Sequence, residues 1–255
     1  MKSTLFRLAF GLSAVVLLVA CGGGGSDEAS APAATEHETA PVAVAAAGSG
    51  SITGLVSYTG EDTDTEINMD ADPQCSSMHE GDVSTEMIVA DGGNLANVFV
   101  YVKEGISGSH PAPAEAVVLD QNGCTYVPHI SGVQVGQKLI IRNSDSTLHN
   151  VHALPENNAE FNQGQPFQNM ELEKSFDTAE VMVRFKCDVH PWMGAYIGVV
   201  DHPYFAVTGA DGSFTIEGLP AGDYVVEAWH ESLGVKTTNV TVADGAVAVA
   251  FDYDA

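Results

Sequence analysis

The chain has 255 residues, with 9 Lys and Arg against 34 Asp and Glu, a formal net charge of −25. That length is enough for one or two domains with real hydrophobic cores. The charge argues against nucleic acid, whose binding needs clustered Lys and Arg, but suits a basic protein partner and general solubility in a salty medium equally.

Lys2 and Arg7 form a short basic start, and Leu8–Ala20 is an apolar run suited to a secretion signal rather than a membrane span. LVAC at 18–21 resembles the lipobox of bacterial lipoproteins, which implies a signal peptide over 1–20 and an acylated Cys21 as the mature N-terminus. An ordinary signal with an incidental Cys21 is the alternative. Removing Lys2 and Arg7 leaves 7 basic against 34 acidic residues, near −27. Residues 21–50 are rich in Gly, Ala, Pro, Ser and Glu and cannot bury enough surface to offset their ordering entropy, so they read as a flexible, lipid-anchored tether. The expected location is the bacterial cell envelope, on the outer membrane, facing the periplasm or outward.

Beyond the tether nearly every element is predicted to be a strand. Short alternating or β-branched runs recur between Gly, Asp and Asn turn signals: SITGLVSY, NVFVYV, AVVL, KLIIRN, VMVRF, AYIGVV, SFTI, DYVVEAW, TNVTV and AVAVAF. Only Glu171–Phe176 hints at a helix. The class is therefore all-β, sandwiches or barrels. Two kinds of segment interleave. GSITGLVSYTG, NVFVYVKEG at 97–105 and VTGADGSFTIEGLPAGDYVVEAWH at 207–230 resemble the carboxypeptidase regulatory-like, transthyretin-like sandwiches of exported bacterial proteins. Asp211-Gly212 supplies a tight turn, and Phe214 and Ile216 are expected to point inward. The unit between, 113–201, is expected to be inserted into that sandwich (51–112 and 202–255) or packed beside it in series.

Four cysteines sharpen the reading. With Cys21 lipidated and Cys187 a ligand, Cys75 and Cys124 remain, and an even pair in an exported protein is most simply a disulfide. A second metal site using Cys75 and His79 of CSSMH is the weaker alternative.

The chemistry concentrates in FKCDVHPWM, 185–193. In VMVRFKC the alternation Val181, Val183, Phe185, Cys187 points the thiol coreward at a strand end. His190 and Met193 follow at three-residue steps. A copper electron-transfer site needs one thiolate, two imidazoles and a weak axial thioether, and GQKLIIRNSDSTLHN upstream offers the missing imidazole at His149. YVPHISGVQVGQKLIIRNSDSTLHN followed by FKCDVHPWMGAYIGVV is similar to the plastocyanin-type cupredoxins, with a ligand loop like that of the amicyanins. The resemblance implies a Greek-key cupredoxin sandwich and one type 1 copper held by His149, Cys187, His190 and Met193. It also implies that Asn150 locks the two ligand loops together, and that an exposed His190 edge, framed by Pro191 and Trp192, serves as the electron-exit surface. No Pro precedes His190, where Val189 stands, and the polar stretch 155–171 departs from compact members.

His129 is expected near the metal end as a hydrogen-bond partner beyond the ligands, and His152 on the opposite face from His149. His110, His202 and His230 are expected to be structural. Zinc would also accept a Cys and two His, but a thioether favours copper. The function expected is single-electron transfer with an envelope redox protein, a basic cytochrome c being one candidate. The alternatives are copper storage, delivery or sensing, or a metal-free adhesion module. Neither G-x-S-x-G nor H-E-x-x-H occurs, nor the H-x-H or H-C-H clusters of multicopper enzymes, so no enzyme is expected. The absence of C-x-x-C-H excludes a c-type haem.

Overall fold

A computed structural model describes residues 48–60 and 64–255. The expected signal peptide, Cys21 and nearly all of the expected tether lie outside the described residues. The regular elements of the described residues are all strands but for one short helix, as the alternation predicts, and they form two sandwiches of two sheets each.

The first sandwich is built from strands at both ends of the chain. Gly50–Tyr58 is its centre, antiparallel to Ser213–Leu219 and parallel to Gly245–Tyr253. The facing sheet runs Phe205–Val207, Phe99–Glu104, Gly222–His230, Gly234–Val242. Every second residue of these strands turns inward, so Ile52, Val56, Val100, Val102, Phe214, Ile216, Val226 and Phe251 meet in one core. Gly212 takes a φ of +70° at the Asp211-Gly212 turn, where a side chain would meet the Val56 carbonyl.

The second sandwich uses only residues 117–200. One sheet runs Phe161–Gln165, His149–Leu154, Glu180–Lys186, Gly194–Val200, Ile130–Gln134, and the other Met170–Lys174, Leu139–Asn143, Val117–Asn122, Thr125–Val127. Leu119, Leu139 and Ile141 from one sheet pack on Val151, Val183, Phe185 and Ile197 from the other. The helix hinted at over Glu171–Phe176 is instead the strand Met170–Lys174. It pairs antiparallel with Leu139–Asn143, placing Glu171 opposite Arg142 with an ion pair at 2.7 Å, and Leu172 against the core. The polar 155–171 stretch supplies the edge strand Phe161–Gln165 and the turn into this one.

The two sandwiches meet through Phe99, Tyr101, Ile130 and Val200, with Phe205, Tyr196 and Trp229 packed around them. Gly132 and Gly198 face each other across a parallel strand pair. A Cβ at Gly198 would fall 2.4 Å from the Phe99 ring, and one at Gly132 would fall 2.4 Å from Phe205. Both glycines are therefore needed for the close approach of these rings to the sheet. Val181 and Met182 join this junction rather than the inner core, because a register shift between Glu180 and Val183 breaks the alternation there.

One segment departs from the expected plan. Residues 64–86, assigned by sequence to the regulatory-like sandwich, form a small bridged loop with the one-turn helix Pro73–Ser76. Ile67, Met69, Cys75, Met78 and Val83 pack against Cys124 and Trp192, at the end of the second sandwich where His190 lies.

Candidate metal centre

Cys187 ends the strand Glu180–Lys186, and the alternation that buries Val183 and Phe185 also buries its thiol. The six residues that follow fold back on it: the His190 N–H donates to Cys187 Sγ at 3.3 Å, and Met193 N–H donates to the His190 carbonyl at 3.0 Å. Met193 thereby enters the same buried cluster as Cys187. His149 opens the strand His149–Leu154, which pairs with Glu180–Lys186 over Arg184–Lys186, so both ligand-bearing segments reach the same pole.

Donor atoms of His149, Cys187 and His190 lie within 4.8 Å of one another. His149 Nδ1 is 2.9 Å from His190 Nδ1, and Cys187 Sγ is 3.9 Å from His190 Nδ1. The outer nitrogens are already used. His149 Nε2 is 2.8 Å from Asp145 Oδ2, and His190 Nε2 is 3.0 Å from Asp72 Oδ2. An ionised carboxylate only accepts, so each Nε2 carries a proton, and in the neutral ring each Nδ1 is left as an acceptor facing the other. Two converging lone pairs beside the Cys187 sulfur are repulsive unless a cation sits among them, either a proton on one ring or a metal ion. The donor set thus fits a thiophilic metal ion.

The electrostatics agree. Burial opposes charge on Cys187, but His149 and the backbone N–H groups of Asn150, His190 and Val189 outweigh it and hold the thiol below its ordinary value. Burial likewise opposes the Asp145 carboxylate. The His149 bond and the Cys124 and Gly123 N–H groups more than compensate and bring it below its usual range. Burial also disfavours the charged form of His149, yet Asp145 and Cys187 raise it above the ordinary value.

Asn150 stands where the sequence suggests. Its Oδ1 accepts from the Asp188 N–H at 2.5 Å, joining the His149 strand to the Cys187 loop, and Tyr126 Oη bonds both the Asn150 and Lys186 carbonyls. His129 hydrogen-bonds none of the four side chains; it bonds the Gly194 carbonyl at 3.1 Å, next to Met193, and pairs with Glu231 of the other sandwich. His152 points away from His149 and pairs with Glu160 and Asp188. Cys75 and Cys124 form a disulfide, which removes Cys75 as a thiolate and with it the alternative Cys75–His79 site; His79 bonds the Gly123 carbonyl instead.

The expected exposed edge of His190 is absent. Pro191 is exposed and Trp192 half-buried, but His190 itself is only 2 % exposed. Asp72, Cys75 and the Trp192 ring cover it, because the 64–86 segment lies over this pole.

Sequence reasoning missed Asp72 and Asp145. Asp72 does carry a local signal, since Asp followed by Pro opens a helix, and its Oδ1 caps the Gln74 N–H at 2.9 Å. Nothing near it in sequence points to His190. Asp145 is set by Asn143, which is fully buried and fastens the loop through Thr147 O, Gln165 O and the Asp145 N–H.

A family model described as domain II of polysaccharide lyase family 4 matches residues 187–250. This is a different family from the regulatory-like one that Thr208–Tyr224 resembles. No curated protein matches the chain. Among solved structures, the chain is similar to an amicyanin variant in its Cu(I) form, at 23 % identity over 39 % of this chain and 97 % of that one, TM-score 0.30. It is similar to a purple cupredoxin from Nitrosopumilus maritimus, at 20 % identity over 33 % of this chain and 97 % of that one, TM-score 0.28. A copper-containing nitrite reductase from Thermus scotoductus is matched at 18 % identity over 39 % of this chain, TM-score 0.31; only 25 % of the reductase chain is spanned. Fold and site together define an all-β chain of two sandwiches, one of which closes a thiolate–imidazole centre at its end.

Proposed function

We propose that this chain is a copper protein that carries single electrons, with one type 1 copper held by His149, Cys187, His190 and Met193. The observation that carries this reading is the convergence of two Nδ1 atoms 2.9 Å apart beside the buried Cys187 sulfur, with both outer nitrogens committed to carboxylates. Copper, when bound, supplies one-electron chemistry between Cu(I) and Cu(II). The chain's own residues supply a donor set fixed before the metal arrives. Asn150 and Tyr126 tie the two loops, and the core of Val183, Phe185 and Ile197 holds Cys187. A rigid frame keeps the ligand positions similar in both oxidation states, which favours fast exchange. Met193 supports copper over zinc, since thioether is a ligand for the softer ion.

The cupredoxin identity of the 113–201 unit and the regulatory-like character of the outer sandwich belong to the same proposal. So do the lipid anchor at Cys21, the envelope location and the absence of enzymatic activity. The partner proposed is an envelope redox protein with a basic surface, drawn by the −25 charge. One observation favours a second reading, copper storage or delivery: His190 is covered, whereas a carrier gains from an exposed edge.

The test is a visible spectrum of the protein truncated after Cys21 with one equivalent of Cu(II), beside Cys187→Ser, followed by voltammetry. An intense thiolate-to-copper band lost in the variant, with a reversible couple, supports the carrier. A band with an irreversible couple and tight retention of Cu(I) supports storage, and no band with no bound copper ends the copper reading.

A further inference from the structure

The 64–86 segment does more than cover the pole. Its Asp72 uses both carboxylate oxygens: Oδ1 accepts from the Gln74 and Cys75 N–H groups at 2.9 and 3.3 Å, and Oδ2 accepts from His190 Nε2. Asp145 is built the same way on the other ligand. It accepts from the Gly123 and Cys124 N–H groups at 2.8 Å each and from His149 Nε2. The two half-cystines that orient these carboxylates are bonded to each other. Cys75 Sγ lies 3.5 Å from His190 Nε2, and the Trp192 Nε1–H donates to the Cys124 carbonyl at 3.0 Å while its ring rests 5.1 Å from that of His190. One covalent cross-link thus joins the supports of both imidazoles. Gln74 Nε2–H donates to Ser146 Oγ at 2.8 Å, a direct tie from the Asp72 segment to the loop that carries Asp145.

We propose that Asp72 and Asp145, ordered by the Cys75–Cys124 disulfide, form an outer clamp on the two histidine ligands that fixes their metal-binding tautomer, shuts the His190 edge from solvent and weights the site toward the oxidised, more highly charged ion. The clamp rests on the copper reading above. Both aspartates are positioning residues that act through the histidines. Each sets a negative charge one imidazole away from the ion, and such carboxylate–histidine pairs orient the ring and raise its basicity. The field of each charge reaches the ion with little screening where water is excluded. Asp145 is 5 % exposed and Asp72 29 %, so Asp145 has the larger effect.

The experiment compares wild type, Asp72→Asn and Asp145→Asn loaded with copper, with potentials measured by spectroelectrochemical titration. Asparagine matches the carboxylate in shape and is a good helix cap. It brings one acceptor oxygen where each aspartate uses two, so it removes the charge together with one hydrogen bond while the bulk of the cover stays in place. Loss of such a partner costs roughly tenfold in metal affinity at the lower end. Falling on Cu(II) rather than Cu(I), that is a rise in potential of about 59 mV, and the larger rise is expected at Asp145. In the diamagnetic Cu(I) form, the His190 ring N–H should exchange slowly with solvent in wild type and rapidly in Asp72→Ala. Unmoved potentials in both Asn variants that retain the thiolate band overturn the clamp. A wild type without the band overturns the copper reading instead, and the clamp with it only if its His190 N–H exchanges as fast as that of Asp72→Ala.

Discussion

The disulfide offers a perturbation whose size follows from the chain. Cys75 and Cys124 are separated by 49 residues. Closing a loop of that length removes about 14 cal/mol/K from the unfolded ensemble in the chain-entropy account, or about 4 kcal/mol at room temperature. Both half-cystines are fully buried, so alanine replaces them without burying an unpaired hydroxyl. Cys75→Ala with Cys124→Ala should therefore lower the stability of the copper-free protein by about 4 kcal/mol. The lost sulfur contacts with Met69, Ile67 and Trp192 add to that figure. Urea unfolding followed by tryptophan fluorescence measures it, since Trp192 lies against the bond. The slope against urea should stay near that of wild type, or rise if the uncrosslinked chain expands further on unfolding. A loss under about 1 kcal/mol, well below the range usual for native disulfides, would refute the reasoning. It would mean that the 64–86 segment is already held by its other contacts, the His79 bond to Gly123 and the Gln74 bond to Ser146.

Two further outcomes are expected. Gly198→Ala forces a methyl into the Phe99 ring and should destabilise by about 1–3 kcal/mol, read as a lowered urea midpoint; an unchanged midpoint would show that the junction yields freely. His230 is buried, and burial lowers it from 6.5 to about 4, with Glu231 pulling the other way; its Nδ1 accepts the Ser232 and Leu233 N–H groups. Above pH 6.5 it is neutral in both states. As pH falls from 6.5 to about 4 the unfolded chain takes a proton that the folded one refuses, so stability is lost across that window, up to about 3 kcal/mol, and the dependence ends below it. His230→Gln should flatten that part of the stability–pH curve relative to wild type. A variant whose curve is parallel to wild type between pH 6.5 and 4 would contradict the assignment.

What could be read from the sequence divides by range. Alternation is local, so Phe214, Ile216, Val183, Phe185 and Cys187 were legible as inward-facing and are buried, whereas Val181, read the same way, is only partly buried at the junction. The spacing of Cys187, His190 and Met193 is local too. His149 needed only the expectation that a neighbouring strand begins at the same pole, and the pairing of Arg184–Lys186 with His152–Leu154 delivers it. Local patterns failed where a distant strand or loop decides. Glu171 and Glu173 look helical until the ladder sets Glu171 opposite Arg142 and brings Lys138 into an ion pair with Glu173. Gly132 and Gly198 look like weak points of strands until Phe99 and Phe205 fill the space they leave.

The covered His190 shows the same division most clearly. Its loop resembles one that presents an imidazole to solvent, and nothing within the loop contradicts that. The cover comes from Asp72 and Cys75, more than a hundred residues earlier. Cysteine parity already tied Cys75 to Cys124, but placing Cys124 required the strand pair Val117–Asn122 and Thr125–Val127, whose tight turn carries it to the pole where Asp145 waits. The cross-link could be counted from the sequence, whereas its consequence for His149 and His190 depends on which end of the sandwich the turn occupies. A site of this kind is therefore specified twice: its ligands by short spacings, and its exposure and charge by one covalent tie between segments that only the completed fold brings together.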